Sequence, residues 1–139
     1  MRYKNQLAHD PGTPNAIGAV AMAIALKQIK TIGIERIEAY ESGLAKRAYE
    51  AMKKNKKVRL LVRGNHLSTV IPFVIEGQDS RGVAERLNKE FGIGVRAGSF
   101  CVYDVVRNLL GVQDETEIIK AVNCGNTSLI PGVIRASFA

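Results

Sequence analysis

Residues 16–30 are apolar on nearly every side of the helix that they are predicted to form. The apolar residues in this segment are Ile17, Val20, Ala21, Met22, Ala23, Ile24, Ala25 and Leu26. A helix that is apolar all round is normally buried on several sides. A chain of 139 residues is long enough for one domain with its own core, but one small domain can hardly cover such a helix. The sequence therefore predicts that this helix docks against a part of the protein that the chain lacks.

The start of this helix has the residues of a helix N-terminus. Thr13 is a suitable N-cap, and Pro14 suits the first helical position. The free N–H groups of the first turn, together with the Thr13 hydroxyl, would form an anion site. The alternative is that these residues only start a helix.

The rest of the chain alternates helical and strand patterns. Helices are predicted over 34–54, 80–91, 103–110 and 115–123, and strands near 58–62, 67–75, 93–96 and 132–137. Ser80 and Asp114 are predicted helix caps, Gly64-Asn65 is a predicted turn, and Pro72 indicates an edge strand or a bulge. The predicted fold is α+β: about four strands in a mostly antiparallel sheet, with helices packed mainly on one face. Residues 1–33 are predicted to be a linker with the apolar docking helix, and 34–139 a small C-terminal domain.

The formal charge of +7 has two interpretations. Much of it lies in residues 53–57, where lysines after a helix complement its dipole and are solvated. The alternative is that the positive field attracts an anionic cofactor or substrate. Nucleic-acid binding is not expected, because no strand or helix interleaves arginines with aromatic residues.

Composition narrows the class of protein further. The two cysteines, Cys101 and Cys124, form no CxxC pair, and the two histidines, His9 and His66, are far apart, so no metal site is predicted. No secretory segment and no apolar run of membrane-spanning length is visible. The sequence predicts a cytoplasmic protein without a membrane partner.

Residues 92–101 are the main candidate site in the sequence. They indicate a short strand that ends in Arg96, then a glycine turn, then Cys101. Arg96 could bind a carboxylate or phosphate by a bidentate pair, and Cys101 could act as a thiolate beside that charge. The alternative is a surface arginine and a buried structural cysteine.

Three motifs in this order resemble the class V aminotransferase family, the pyridoxal-phosphate enzymes that include the cysteine desulfurases. They are residues 12–15 (GTPN), 95–101 (VRAGSFC) and 133–137 (VIRAS). The resemblance covers nearly the whole chain. It implies that Gly12 and Thr13 contact the cofactor phosphate of a neighbouring subunit. It also implies that Cys101 attacks the substrate sulfur and carries a persulfide, and that Arg135 binds the substrate carboxylate. The attack requires a thiolate, which Arg96 and the basic surroundings would favour.

The chain also departs from that family. No lysine lies in the Ser/Thr-x-His-Lys-like context that holds the cofactor, and Ser99-Phe100 replaces two histidines found in many desulfurases. The loop and its long following segment are similar to the molybdenum-cofactor sulfurase branch. Because no lysine lies in the context that holds the cofactor, the chain alone is expected to be inactive. Expected partners are a large pyridoxal-phosphate-binding domain or chain, further subunits of a homo- or hetero-oligomer, and a sulfur-acceptor protein. The alternatives are an aminotransferase or lyase in which Cys101 is structural, and a stand-alone sulfur-relay or binding module.

Overall fold

Five helices and four strands make up the part of the chain that the computed structural model describes, residues 12–61 and 68–138. The predicted α+β class is confirmed. His9, His66, the predicted Gly64-Asn65 turn and the strand positions Val62 and Leu67 lie outside the described residues. The elements are α1 (Ala16–Ile32), α2 (Ile34–Lys53), β1 (Val58–Leu60), β2 (Val70–Ile75), α3 (Ser80–Phe91), β3 (Arg96–Gly98), α4 (Tyr103–Leu110), α5 (Thr116–Asn123) and β4 (Val133–Ser137).

Side-chain caps start two of the helices at positions other than those predicted. At α1 the cap is Asn15, whose side-chain oxygen accepts a 2.8 Å hydrogen bond from the Gly18 N–H. The prediction of Thr13 as this cap was wrong. At α3 the carboxylate of Asp79 accepts a 2.7 Å hydrogen bond from a backbone N–H in the first turn, and Ser80 is the first helical residue. Asn, Asp, Ser and Thr all cap well, so the backbone path decides which of two neighbouring candidates does so.

One carboxylate ties α4 to α5. Glu115 accepts a 2.6 Å hydrogen bond from the Tyr103 hydroxyl and a 3.1 Å bond from Arg107. Two effects raise the pKa of Tyr103 above its usual value: the larger is the hydrogen bond to Glu115, and the second is burial of the hydroxyl. Asp114, the predicted cap of α5, lies one residue before the cap position, and its carboxylate accepts the Thr116 N–H at 2.9 Å. Hydrogen bonds from the Thr116 hydroxyl and N–H lower the pKa of Asp114.

The strands form one antiparallel sheet in the order β1-β2-β4-β3, which makes β2 an interior strand. The prediction that Pro72 marks an edge or a bulge was therefore wrong. The Pro72 carbonyl accepts a 2.9 Å hydrogen bond from the Leu61 N–H, on the β1 side of β2. In an antiparallel sheet the N–H and C=O of one residue point to the same neighbouring strand. The N–H that Pro72 lacks would therefore point to the β1 side, at a position just beyond Leu60, the last residue of β1. The ladder between β2 and β4 loses no donor at this position.

Strand β3 begins at the residue where the sequence predicted its end. The prediction was 93–96, and β3 spans Arg96–Gly98. Gly92 is left-handed, with φ of 65°, and ends α3. The Ile93 N–H then bonds to the Leu87 carbonyl at 3.0 Å. This C-terminal motif takes up the Ile93 N–H, and sheet pairing starts only at Arg96.

The core lies between one face of the sheet and helices α2 and α3, as predicted for helices packed mainly on one face. On β4, Ile134 and Ala136 point into this core, and Phe73 of β2 lies directly opposite Ile134. Alternation along a strand therefore places Arg135 on the opposite face. The buried cluster and the helical residues packed against it are Phe73, Val83, Ile134, Ala136, Met52 and Leu87.

The chain divides into two compact units, one ending at Ala39 and the other beginning at Tyr40. Helix α1 belongs to the first unit, and none of its residues, all described, is buried. Ile17 is 85% exposed, and Val20, Met22, Ile24 and Leu26 are also exposed. Among the described residues no single helix is long and apolar enough to cross a membrane. Only α1 and α2 taken together, as a bent pair, have the length and apolar composition of such a span.

Candidate functional site

Arg96 of β3 and Arg135 of β4 lie directly opposite each other in the antiparallel pair. Directly opposed residues project from the same face, with Cβ atoms about 4.5–5.5 Å apart. Neither guanidinium forms an ion pair with a carboxylate of the described residues. Two like charges at such positions repel each other unless an anion lies between them. The pair is therefore suited to bind an anion, with the bidentate geometry that arginine offers to a carboxylate.

The chain turns sharply directly after β3. The Val102 N–H donates a 2.9 Å hydrogen bond to the Ser99 carbonyl and closes a four-residue turn. Its two central residues, Phe100 and Cys101, both have positive φ, 53° and 59°. This is the φ pattern of a type I′ turn, which normally selects Gly or Asn. The left-handed conformation costs other residues about 1–2 kcal/mol each.

The turn places Phe100 against Arg135. The Cζ atom of Arg135 lies over the Phe100 ring, 4.9 Å from its centroid. Arg135 is half-buried, and its Nε has no hydrogen-bond partner among the described residues. The guanidinium therefore has the Phe100 ring against it and no ion pair with a carboxylate of the described residues.

Cys101 occupies the other central position of the same turn. It is a free, exposed thiol, so the alternative of a buried structural cysteine does not describe it. Cys124, at the C-terminal end of α5, is also free and exposed. Exposure alone therefore does not distinguish the two thiols. Their surroundings do, because Cys101 lies in the same turn as Phe100, which contacts Arg135.

Gly12 and Thr13 belong to the first unit, where both are exposed just before α1. A Cβ atom built on Gly12, whose φ is 133°, meets nothing within 4 Å. An exposed hydroxyl and open backbone before a helix N-terminus are suited to a phosphate group. Within the described residues, no group of three or more His, Cys, Asp or Glu side chains could hold a metal ion.

Sequence reasoning named both arginines and Cys101, but it missed Phe100 as a contact of Arg135. A phenylalanine in a small loop has no pattern of spacing that indicates what its ring touches. It also missed the Tyr103–Glu115–Arg107 network. Arg107 and Tyr103 lie eight and twelve residues before Glu115, beyond the reach of helical periodicity.

Comparison with known proteins identifies the family. The family model for class V aminotransferases matches residues 3–139, nearly the whole chain. The chain belongs to the class V aminotransferase family. Enzymes of this family depend on pyridoxal phosphate, in agreement with the resemblance read from the sequence.

The relatives of this class V chain include several cysteine desulfurases. It is 35% identical over 98 residues to the cysteine desulfurase of Synechococcus elongatus, covering 70% of this chain and 16% of that protein. It is 36% identical over 100 residues to a probable cysteine desulfurase of Mycolicibacterium paratuberculosis, covering 72% and 14%. The chain thus matches only about a seventh to a sixth of the length of these relatives.

Solved structures agree with this fold. The apo cysteine desulfurase of Thermococcus onnurineus matches with a TM-score of 0.72 and 29% identity, over 98% of this chain and 29% of that one. The cysteine desulfurase CsdA of Escherichia coli matches with a TM-score of 0.69 and 26% identity, over 92% and 27%. The class V chain therefore has the fold of about a quarter of these enzymes.

Proposed function

We propose that this chain is the part of a pyridoxal-phosphate-dependent, cysteine desulfurase-like enzyme that binds the substrate carboxylate and carries the nucleophilic thiol. The observation that carries the proposal is the pairing of Arg96 with Arg135 beside the turn that bears Cys101. The arginine pair lies at the first residue of β3, the exposed thiol lies in the turn that follows its last residue, and Phe100 of that turn contacts Arg135.

The arginines position the substrate. Arg135 binds the substrate α-carboxylate through the planar fork of its guanidinium, and Arg96 adds positive charge at the same place. Thr13, with the backbone at Gly12, contacts the phosphate of the cofactor held by a neighbouring subunit. When bound, pyridoxal phosphate supplies an electron sink for bond changes at the substrate amino acid.

Cys101 then takes the sulfur. Its thiolate forms a bond to the sulfur of the substrate cysteine while the bond between that sulfur and the substrate Cβ breaks. The electron pair of the broken bond stays with the substrate, which takes up a proton and leaves as alanine. Cys101 is left as a persulfide, which a sulfur-acceptor protein would then receive.

The exposed apolar surface of α1 gives a reason to expect a missing partner. We propose that the cofactor-binding large domain covers it, in the same polypeptide or in a separate chain, because the chain spans only 14–29% of the length of the relatives and structures described above. An exposed apolar surface of this kind marks an interaction site. The chain alone is then inactive, since none of its lysines lies in the Ser/Thr-x-His-Lys-like context that holds the cofactor.

The thiol role is tested by treating the full chain with a polysulfide donor and mapping the added sulfur by mass spectrometry. We expect the sulfur to accumulate on Cys101 rather than on Cys124, the exposed thiol that serves as an internal control. The variants Cys101→Ser and Cys124→Ser verify the assignment. Equal loading of the two thiols, or preference for Cys124, contradicts the role given to Cys101.

The need for a large domain is tested separately. We expect the full chain mixed with pyridoxal phosphate to show no new visible absorption band and, after borohydride reduction, no cofactor adduct in its intact mass. It should also release no sulfide from L-cysteine. A stoichiometric adduct at one lysine would show that the chain anchors the cofactor itself.

A further inference from the structure

The guanidinium of Arg135 is held in an unusual way. Its Nε lies buried without a hydrogen-bond partner among the described residues, whereas the large majority of buried polar side-chain atoms have one. Its Cζ instead lies over the ring of Phe100, 4.9 Å from the centroid. Attraction between the cation and the electron-rich face of the ring is the stabilising contact that these residues supply.

The ring comes from a turn with two left-handed residues. Phe100 has φ of 53°, and Cys101, the next residue, has φ of 59°. Such conformations persist only where surrounding structure holds them. The hydrogen bond between Val102 and Ser99 closes the turn, and the contact of Phe100 with Arg135 attaches the turn to β4.

A guanidinium stacked on a ring keeps its N–H groups free of protein acceptors. Because the Nε of Arg135 is buried, its two Nη groups are the ones left to bind a ligand. A carboxylate partner in the protein would occupy those N–H groups, whereas a ring occupies only a face. The same contact also limits the rotamers that Arg135 can adopt, so less conformational entropy is lost when the edge binds a carboxylate.

We propose that Phe100 is a positioning residue that holds Arg135 ready for the substrate carboxylate and ties it to the turn that presents Cys101. This rests on the proposed function, in which Arg135 binds that carboxylate. Phe100 acts through Arg135 and touches no reacting atom.

The first test is spectroscopic. In the isotope-labelled full chain, the Nε–Hε NMR signal of Arg135, assigned with Arg135→Gln, should be shifted by the ring current of Phe100. Phe100→Leu keeps an apolar side chain but removes the ring, and should return the signal to the range of the other arginines. Phe100→Tyr should retain the shift. Phe91→Leu, which removes an aromatic ring that is 66% exposed, is the matched control and should leave the signal unchanged.

The second test measures binding. The same signal is followed during titration with L-alanine, and with alaninamide as a control that lacks the carboxylate. We expect Phe100→Leu to weaken L-alanine binding by about three- to tenfold, the range of a partly desolvated cation–π contact. Phe100→Tyr should stay within about twofold of the unsubstituted chain, because the ring is restored.

The outcomes separate this proposal from the proposed function. If Phe100→Leu binds L-alanine as well as the unsubstituted chain, or if its Arg135 signal does not move, the positioning role is overturned while the carboxylate role of Arg135 stands. If the Arg135 signal of the unsubstituted chain does not respond to L-alanine, the carboxylate role itself is overturned, and the positioning role with it.

Discussion

Gly132 allows the start of β4 to pass close to α3 and β3. A Cβ atom at this position would lie 2.5 Å from the Ser80 Oγ and 3.2 Å from the Gly98 Cα. Because one of the two close atoms belongs to backbone, the neighbours cannot simply rotate away. We expect Gly132→Ala to lower the free energy of unfolding by about 1–3 kcal/mol, the usual cost of overpacking, as measured by urea denaturation.

Two further variants control this prediction. Gly43→Ala, at an open position inside α2 with nothing within 4 Å, should raise stability by about 0.5–1 kcal/mol. Ser80→Ala should recover part of the loss when combined with Gly132→Ala, because the nearest clashing atom is removed. A Gly132→Ala chain as stable as the unsubstituted one would contradict the close approach.

Tyr103 gives the fold a pH-dependent contact at the residue scale. Its hydrogen bond to Glu115 raises its pKa, so the folded state favours the protonated phenol. The stability from this bond is complete below the ordinary tyrosine pKa of about 10 and is lost as the pH rises through the raised value. We expect Glu115→Gln to shift the Tyr103 titration, followed by NMR of the ring carbon bearing the hydroxyl, to lower pH.

A neighbouring carboxylate controls for general charge effects on Tyr103. Glu117 pairs with Lys120 on α5 at 2.8 Å and makes no hydrogen bond to Tyr103. Glu117→Gln should therefore leave the Tyr103 titration nearly unchanged. A shift as large as that of Glu115→Gln would mean that the hydrogen bond is not the cause.

At the scale of one element, α3 depends on its cap. Asp79 accepts the Gly82 N–H at 2.7 Å, which satisfies a donor that the helix leaves free. We expect Asp79→Ala to lower the free energy of unfolding by about 1 kcal/mol and Asp79→Asn to stay within about 0.5 kcal/mol of the unsubstituted chain, by urea denaturation. If Ser80→Ala lowered the free energy of unfolding more than Asp79→Ala does, the cap of α3 would be Ser80 and not Asp79.

At the scale of the whole molecule, α1 decides how the isolated chain behaves. Its exposed apolar side chains should bind a hydrophobic fluorescent dye and promote self-association in sedimentation experiments. We expect Val20→Lys to reduce both effects without changing the unfolding of the second unit. Val105→Lys, at a valine of similar exposure on α4 (56%, against 60% for Val20), is the matched control and should reduce them much less. Equal effects of the two variants would contradict a docking role for α1.

Local chemistry made most elements predictable from the sequence. Helix periodicity and Gly111 gave α4 its bounds of 103–110, and the β-branched run gave β2. The errors were also local in origin: Asn15 competes with Thr13, and Asp79 with Ser80, at positions within two residues of each other. Near-equal cap preferences are resolved by the backbone path and not by residue type.

The sequence by itself determined the α+β class, the apolar character of α1, and the presence of Arg96, Arg135 and Cys101 as candidates, because these follow from residue type and short-range spacing. Only the tertiary structure decided that β2 is an interior strand despite Pro72, that Arg96 lies opposite Arg135, and that Phe100 lies against Arg135. These contacts join residues some 35 to 65 positions apart in the chain. Strand order and register depend on how the two faces of the sheet are buried, which is a property of the packed molecule and not of any local segment.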